Sequence, residues 1–172
     1  MASLMEELMI NLEEVNNEYK KLIDLSMKKT PIIISADLDA LQRITEDEQE
    51  VVNKINHLDR KREINMKDIA NVINKDVDSL KLADLIDMLK KRPAEQKRLA
   101  AVYDDLTDTI AQMKRVNEQN KLLIESSLEM VQFDLNVLKA YKTAPETANY
   151  NASAYSAGTY MGTNDGAFDA KQ

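Results

Sequence analysis

The chain has 172 residues, of which 30 are acidic and 23 are basic, so its formal net charge is −7. It contains no cysteine and one histidine, which excludes thiol nucleophiles, disulfides and cysteine or multi-histidine zinc sites. All three glycines lie after residue 157, so the preceding sequence has no glycine-rich loop of the kind that holds nucleotide phosphates. We therefore expect neither an enzyme nor a bound cofactor or metal.

The charge balance also bears on the partners of the chain. An acidic protein without a cluster of basic residues repels nucleic acid and anionic membrane surfaces. The longest aliphatic run covers only residues 32–34, whereas a membrane-spanning helix needs roughly 20 apolar residues. We expect a soluble, cytoplasmic protein that neither binds nucleic acid nor inserts into a membrane.

The first predicted helix covers residues 3–29, and an extension to residue 34 stays open. The spacing of Ser3 and Glu6 is typical of a capping box, which predicts that the helix begins there. Apolar residues recur at helical spacing along one side, namely Leu8, Leu12, Val15, Tyr19 and Leu22. Because proline lacks a backbone donor, Pro31 is expected either to kink this helix or to end it.

A second helix is predicted over residues 37–65, with Asp37 as its N-cap. Its apolar side is interrupted by Glu48 and continues to Arg62. Each of these charged side chains either meets a partner on a neighbouring helix or extends to the solvent-exposed rim. Long charged side chains usually extend to the rim, so we favour that interpretation.

The third region, residues 67–91, is predicted to form a connector of two short helical pieces, 67–74 and 79–91, with Ser79 capping the second. Pro93 then suits the first turn of the longest helix, over residues 93–141. An apolar seam follows this helix, consisting of Leu99, Val102, Leu106, Thr109, Met113, Val116, Asn120 and Leu123. A polar residue at one such position can fix the register of packed helices, so we interpret Asn117 and Asn120 as structural.

The seam changes register after Leu123. It continues through Ile124, Leu128, Val131, Leu135 and Leu138, which widens the apolar face of the last helix. From residue 143 the sequence becomes rich in Ala, Asn, Ser, Thr and Gly, with Tyr150, Tyr155 and Tyr160 spaced five apart. Such a segment lacks the apolar area needed to order itself, so we expect a flexible tail.

These elements predict an all-α fold, an elongated up-and-down antiparallel helical bundle with coiled-coil-like long helices and an irregular C-terminal tail. We place the helical domain at residues 1–142 and the tail at 143–172. Catalytic or metal-binding chemistry has little support in the sequence. The acidic residues Glu46, Asp47, Glu48 and Glu50 resemble a solvated helix face, and His57 a surface residue. A carboxylate–metal enzyme would need acidic side chains that face each other across helices.

Two segments of the chain resemble the FlgN family of flagellar export chaperones. Residues 37–50, DLDALQRITEDEQE, are similar to the start of the second helix in that family. Residues 117–128, NEQNKLLIESSL, are similar to its last helix, which here also begins with a proline. The resemblance covers most of residues 3–141.

The resemblance implies a cytosolic chaperone without nucleotide or metal. It would bind flagellar hook-associated proteins, keep their terminal helices from polymerising, and deliver them to the type III export gate. We predict that the cargo helix binds Ile124, Leu128, Val131, Leu135 and Leu138, although these residues could instead close the chain's own bundle. Tyr150, Tyr155 and Tyr160 are predicted to cover the same face until cargo displaces them. The alternative is a structural coiled-coil protein that self-associates into a homo-oligomer.

Overall fold

The computed structural model describes residues 2–143, and the remaining residues of the predicted tail lie outside this range. The chain divides into two compact units, Met1–Glu129 and Met130–Gln172, which we call unit 1 and unit 2. Each unit is described by itself. The predicted boundary between a helical domain and a tail after residue 142 stays a prediction.

The described residues form four α-helices joined by short connections. These are α1 (Ala2–Ser35), α2 (Leu38–Ile73), α3 (Leu82–Met88) and α4 (Pro93–Thr143), with single 3₁₀ turns at Val77–Ser79 and Leu89–Lys91. Residues 2–143 contain no β-strand. The predicted all-α fold is therefore confirmed.

Helix α1 continues through its proline and ends at Ser35. Because Pro31 has no backbone N–H, the Met27 carbonyl lacks its helical hydrogen-bond donor. Both residues are exposed, so water can bind that carbonyl instead. Pro31 therefore does not end the helix. The predicted capping box is wrong, because α1 already begins at Ala2 and the Ser3 hydroxyl donates to the Glu7 carboxylate at 3.2 Å.

Helix α2 begins where the sequence predicts. The Asp37 carboxylate accepts a hydrogen bond from the backbone N–H of Ala40 at 3.0 Å, which confirms Asp37 as the N-cap. The predicted end at residue 65 and the separate piece 67–74 are wrong, because one helix runs to Ile73. Continuation of the helix buries Met66 and Ile69 in the core, and this burial stabilises the longer helix. Asn74 then adopts a left-handed conformation and ends the helix.

The connector is less helical than the sequence predicts. The predicted helix over 79–91 is wrong in extent, because its α-helical part is only Leu82–Met88. Ser79 does not cap it; its hydroxyl donates to the Asp76 carbonyl at 3.0 Å. The start of α3 is instead closed by Asp84, which accepts from the Lys81 backbone N–H at 2.9 Å. Helix α4 begins at Pro93, as predicted.

The long helices of unit 1 pack in an up-down-up arrangement. Helices α1 and α2 are antiparallel, since Asn11 near the start of α1 bonds the Leu58 carbonyl, whereas Ser26 further along bonds the earlier residue Glu48. Helices α1 and α4 are parallel, as Asp105 bonds Asn16 and Asn120 bonds Ser26. The largest fully buried side chains are Leu8, Met9, Leu12, Ile69, Leu85, Leu99 and Ser26.

Glu48 is the main departure from the expected surface pattern. Its carboxylate accepts from the Ser26 hydroxyl at 2.7 Å and from the Lys29 ammonium at 2.8 Å, both on α1. The expectation that Glu48 extends to the rim is therefore wrong. Arg62 pairs with Asp59 on its own helix at 3.0 Å and stays half-buried. The charged side chain of Glu48, although it lies within an apolar stripe, therefore joins α2 to α1.

Candidate partner-binding surface

The predicted seam of α4 is the side that packs against α1 and α2 in unit 1. Its buried members are Leu99, Leu106, Thr109, Met113 and Asn120, and its half-buried members are Val102, Val116 and Leu123. The seam prediction is confirmed within unit 1. This buried line leaves the opposite side of α4 to solvent.

Asn120 forms a buried polar layer with α1. Its amide nitrogen donates to the Ser26 carbonyl at 2.8 Å, and its amide oxygen accepts from the Thr30 hydroxyl at 2.7 Å. Ser26 and Lys29 extend the layer to Glu48 on α2. Because these groups satisfy one another inside the bundle, they favour one alignment of the three helices, as expected for a structural Asn120. Asn117 is exposed, so the structural interpretation of that residue is wrong.

Two charged groups fix the same alignment nearer the surface. The Arg98 guanidinium donates to both Glu13 and Glu6 on α1, and these hydrogen bonds raise its pKa, so it stays protonated. Hydrogen bonds from Lys20 and Asn16 lower the pKa of the Asp105 carboxyl. Both contacts join α1 to α4, so they support the parallel packing of these helices.

Unit 1 contributes two of the five predicted cargo-binding residues. Ile124 is half-buried, whereas Leu128 is 64% exposed. Leu122, which the sequence analysis did not single out, is exposed as well. Leu128 therefore presents an apolar side chain that no described residue covers.

Unit 2 contributes the other three. Val131, Leu135 and Leu138 lie at spacings of four and three on one side of the helix, and we call them stripe A. Their side chains are 45–59% exposed. Lys142 follows in line with stripe A, and Lys139 borders it. In the alternative interpretation, these side chains would be covered by the chain's own bundle. Within the described residues, no side chain covers them.

A second exposed apolar line in unit 2 was missed by the sequence analysis. Met130, Phe133, Val137 and Tyr141 are 46–85% exposed and lie on another side of the helix, and we call them stripe B. Their spacing of three, four and four is a helical signal that was available in the sequence. It was overlooked because the seam was followed along a single line.

A groove between α1 and α2 has a volume of about 580 Å³. Its walls mix acidic side chains such as Glu14 with basic ones such as Lys54, and His57 lies exposed at its edge. The surface position predicted for His57 is confirmed. With few apolar side chains in its walls, the groove offers little hydrophobic binding energy compared with stripes A and B.

The acidic run on α2 lies on the surface apart from Glu48, which is bound to α1. Within residues 2–143, no three His, Cys, Asp or Glu side chains come together in a way that could hold a metal ion. No helix in the same range combines the length and the hydropathy needed to cross a bilayer.

The whole bundle and the exposed end of α4 fall within one family match. The family model described as FlgN protein matches residues 1–157. The chain belongs to the FlgN family. The resemblance noted in the sequence is thereby confirmed, and members of this family act in general as flagellar export chaperones. Searches for similar curated proteins and for similar solved structures gave no match.

The remaining predicted site residues of this FlgN-family chain are in the tail. Tyr150 and Tyr155 lie within the family match, and Tyr160 lies beyond it. All three fall outside the residues that the structure describes. Their proposed docking onto the helical part therefore stays a prediction.

Proposed function

We propose that this chain is a cytoplasmic export chaperone whose cargo is the terminal amphipathic helices of flagellar hook-associated proteins. It prevents their premature polymerisation and delivers them to the export gate, without enzymatic activity. The observation that carries the proposal is the exposure of large apolar side chains on the last helix of a FlgN-family chain. Contiguous exposed apolar surface of this kind marks interaction sites.

The spacing of the proposed contact residues suits a helical partner. Ile124, Leu128, Val131, Leu135 and Leu138 follow one another at intervals of four and three. An amphipathic helix inserts its own apolar side chains between residues spaced in this way. The cargo would therefore add a helix alongside the last helix of the chaperone.

The expected affinity follows from the number of side chains that are covered. Burying an aliphatic side chain of this size is worth roughly 1.5 to 3 kcal/mol. Ordering of the cargo and loss of its free motion offset much of the sum over five residues. We expect binding in the micromolar range or somewhat tighter, which allows release at the export gate.

Lys139 and Lys142 beside stripe A indicate the charge of the partner. A cargo helix with acidic residues next to its apolar side would place them opposite these lysines, which favours encounter and alignment. Since both lysines are exposed, their contribution should fall as salt screens the charges.

Calorimetry with the C-terminal helical segment of a hook-associated protein from the same genome tests the proposal. The variant Leu128→Asp with Leu135→Asp should lose binding by about 100-fold or more, because it places two charges on the contact face. The control Gln132→Asp with Asn136→Asp adds the same charge at exposed polar positions and should bind within about threefold of the wild type. Circular dichroism must show that both variants are folded. Failure of the wild type to bind would contradict the proposed cargo.

The tail supplies a second contact in this proposal. Tyr150, Tyr155 and Tyr160 cover the cargo face in the free protein, because tyrosine rings can shield apolar surface while their hydroxyls stay hydrated. Replacing the three tyrosines by serine in the full chain should then tighten cargo binding, since no intramolecular cover has to be displaced. Weaker binding would show that the tail contacts cargo directly, and unchanged binding would show that it takes no part.

The alternative function is a structural coiled coil that self-associates through the same residues. It is favoured by the same exposed apolar side chains. A wild-type chain that forms stable oligomers but binds no hook-associated segment would support this alternative.

A further inference from the structure

Unit 2 exposes more apolar surface than one partner helix can cover. Within 130–143, the exposed large hydrophobic residues are Met130, Val131, Phe133, Leu135, Val137, Leu138 and Tyr141. At 3.6 residues per turn, the midlines of stripes A and B lie about 120° apart around the helix. A helix with apolar residues this far around its circumference is normally buried on more than one side. A cargo helix on stripe A leaves stripe B in water.

The charges next to the two stripes differ. Stripe A has Lys142 in line with it and Lys139 at its border, whereas stripe B has no charge in line and ends in Tyr141. Asp134 lies between the stripes. Two copies that met through stripe A would bring four lysines together, which is unfavourable.

Symmetry separates the two remaining ways in which copies can meet. Contact of stripe A with stripe B is heterologous, and repeated contacts of that kind continue from copy to copy unless they close into a ring. Contact of stripe B with stripe B is self-complementary and closes at two copies. The aromatic rings of Phe133 and Tyr141 can supply most of the contact area with little loss of side-chain freedom.

We propose that stripe B binds stripe B of a second copy of this chain, giving a two-fold dimer that leaves stripe A free. The dimer contact itself does not depend on the proposed function. Only the statement that stripe A stays free rests on it, since stripe A is the surface assigned to cargo. A pure solution of the free chaperone offers only its own tail or another copy to cover stripe B. The second copy places the four side chains of one stripe against the same four of the other.

The size of this contact sets its strength. Four side chains from each copy would bury on the order of 1,000 Å² in total, which is near the lower end of specific interfaces. The dimer should therefore be reversible, with a dissociation constant in the micromolar range. A rapidly exchanging dimer would still shield Phe133 for most of the time at high protein concentration.

Sedimentation of the full chain over about 1 to 200 µM tests the dimer. We expect the mass to rise reversibly from one chain to two. Phe133→Asp should weaken association by about 30-fold or more, because it introduces two charges into the centre of the contact. The neighbouring control Gln132→Asp adds the same charge on the polar side and should change association by less than about threefold. Circular dichroism checks that both variants are folded.

Salt and Asp134 distinguish this arrangement from the heterologous one. Asp134 borders stripe B in both copies, so screening by salt should strengthen the dimer, and Asp134→Asn should tighten it by about two- to fivefold. Weakening by salt would instead indicate contact of the lysines of stripe A with Asp134, and would overturn the proposal.

The other outcomes also decide the matter. A wild-type chain that stays monomeric while its triple tyrosine-to-serine variant dimerises would show that the tail covers stripe B, and would overturn the proposal. Monomers in both cases would overturn it as well. If the dimer forms but no hook-associated segment binds to it, the dimer stands and the proposed function fails. If cargo binds to a chain that never dimerises, the reverse holds.

Discussion

Leu99 and Leu138 are both leucines of α4, yet Leu99 is completely buried and Leu138 is 59% exposed. Leu99 belongs to the stretch in unit 1 that shares a core with α1, α2 and the connector. Leu138 belongs to the stretch in unit 2 in which no described residue covers the apolar side chains. The period of apolar residues is helical in both stretches. Periodicity therefore shows where an apolar face lies, whereas the neighbouring elements decide whether the chain covers that face itself.

The hydrogen bonds of the two stretches differ in the same way as the burial of their leucines. In unit 1, Arg98, Asp105 and Asn120 all bond to residues of α1. In residues 130–143, the side-chain hydrogen bonds join near neighbours, for example Gln132 with Asn136 and the Thr143 hydroxyl with the Lys139 carbonyl. The first stretch thus has tertiary partners from Arg98 to Asn120, and the second has local ones.

The largest expected effect compares one substitution at the two leucines. Leu99→Ala should lower the free energy of unfolding by about 2 to 5 kcal/mol, because it leaves a cavity in the core. Leu138→Ala should change it by less than about 0.5 kcal/mol, since the side chain is exposed. Urea denaturation followed by circular dichroism measures both. A loss of several kcal/mol for Leu138→Ala would show that the chain buries this residue after all.

A smaller effect is expected at the buried polar layer. Asn120→Ala removes two hydrogen bonds, one to the Ser26 carbonyl and one from the Thr30 hydroxyl, which should cost about 1 to 3 kcal/mol of unfolding free energy. Asn117→Ala is the matched control, because Asn117 lies on the same helix but is exposed; it should stay within about 0.5 kcal/mol of the wild type. Equal effects in the two variants would contradict the structural role of Asn120.

The smallest expected effect is a change in stability at low pH. The hydrogen bonds from Lys20 and Asn16 hold the pKa of Asp105 below its usual value of 3.8. The folded state therefore binds this proton less readily than the unfolded state does, so the contribution of Asp105 is present above about pH 4 and is lost as the pH falls through the lowered pKa.

Asp105→Asn should accordingly be less stable than the wild type at pH 7, and the difference should shrink below pH 4. Lys20→Ala, which removes the donor with the largest effect on that pKa, should reduce the pH-dependent part of the difference. Thermal unfolding at a series of pH values measures it. A difference that stays constant from pH 7 to pH 3 would contradict the assigned contact.

Much of the fold could be predicted from the sequence, because its signals are local. Asp37 marks a helix start through its side-chain carboxylate, and Pro93 does so through its missing backbone N–H and fixed backbone angle. Both starts are where the sequence places them. The continuation of α2 past residue 65 could not be predicted in this way. It depends on Met66 and Ile69 reaching a core that residues from other helices complete.

The candidate site was only partly predictable for a similar reason. The spacing of Val131, Leu135 and Leu138 indicated an apolar face, but burial by the chain's own helices and binding of a partner produce the same spacing. Stripe B carried an equally regular signal and was missed. Glu48 was misjudged because a charge in an apolar stripe is stabilised only by its partners, and Ser26 and Lys29 are distant in sequence.

Hydrogen exchange of the full chain, free and saturated with the C-terminal segment of a hook-associated protein, tests the central claim most directly. The claim is that the chaperone binds cargo through the exposed apolar end of α4. We predict that amides between residues 122 and 141 exchange more slowly when cargo is bound, and that amides of α1 and α2 next to the groove lined by Glu14 and Lys54 do not change. Protection confined to that groove, with none between residues 122 and 141, would contradict the account.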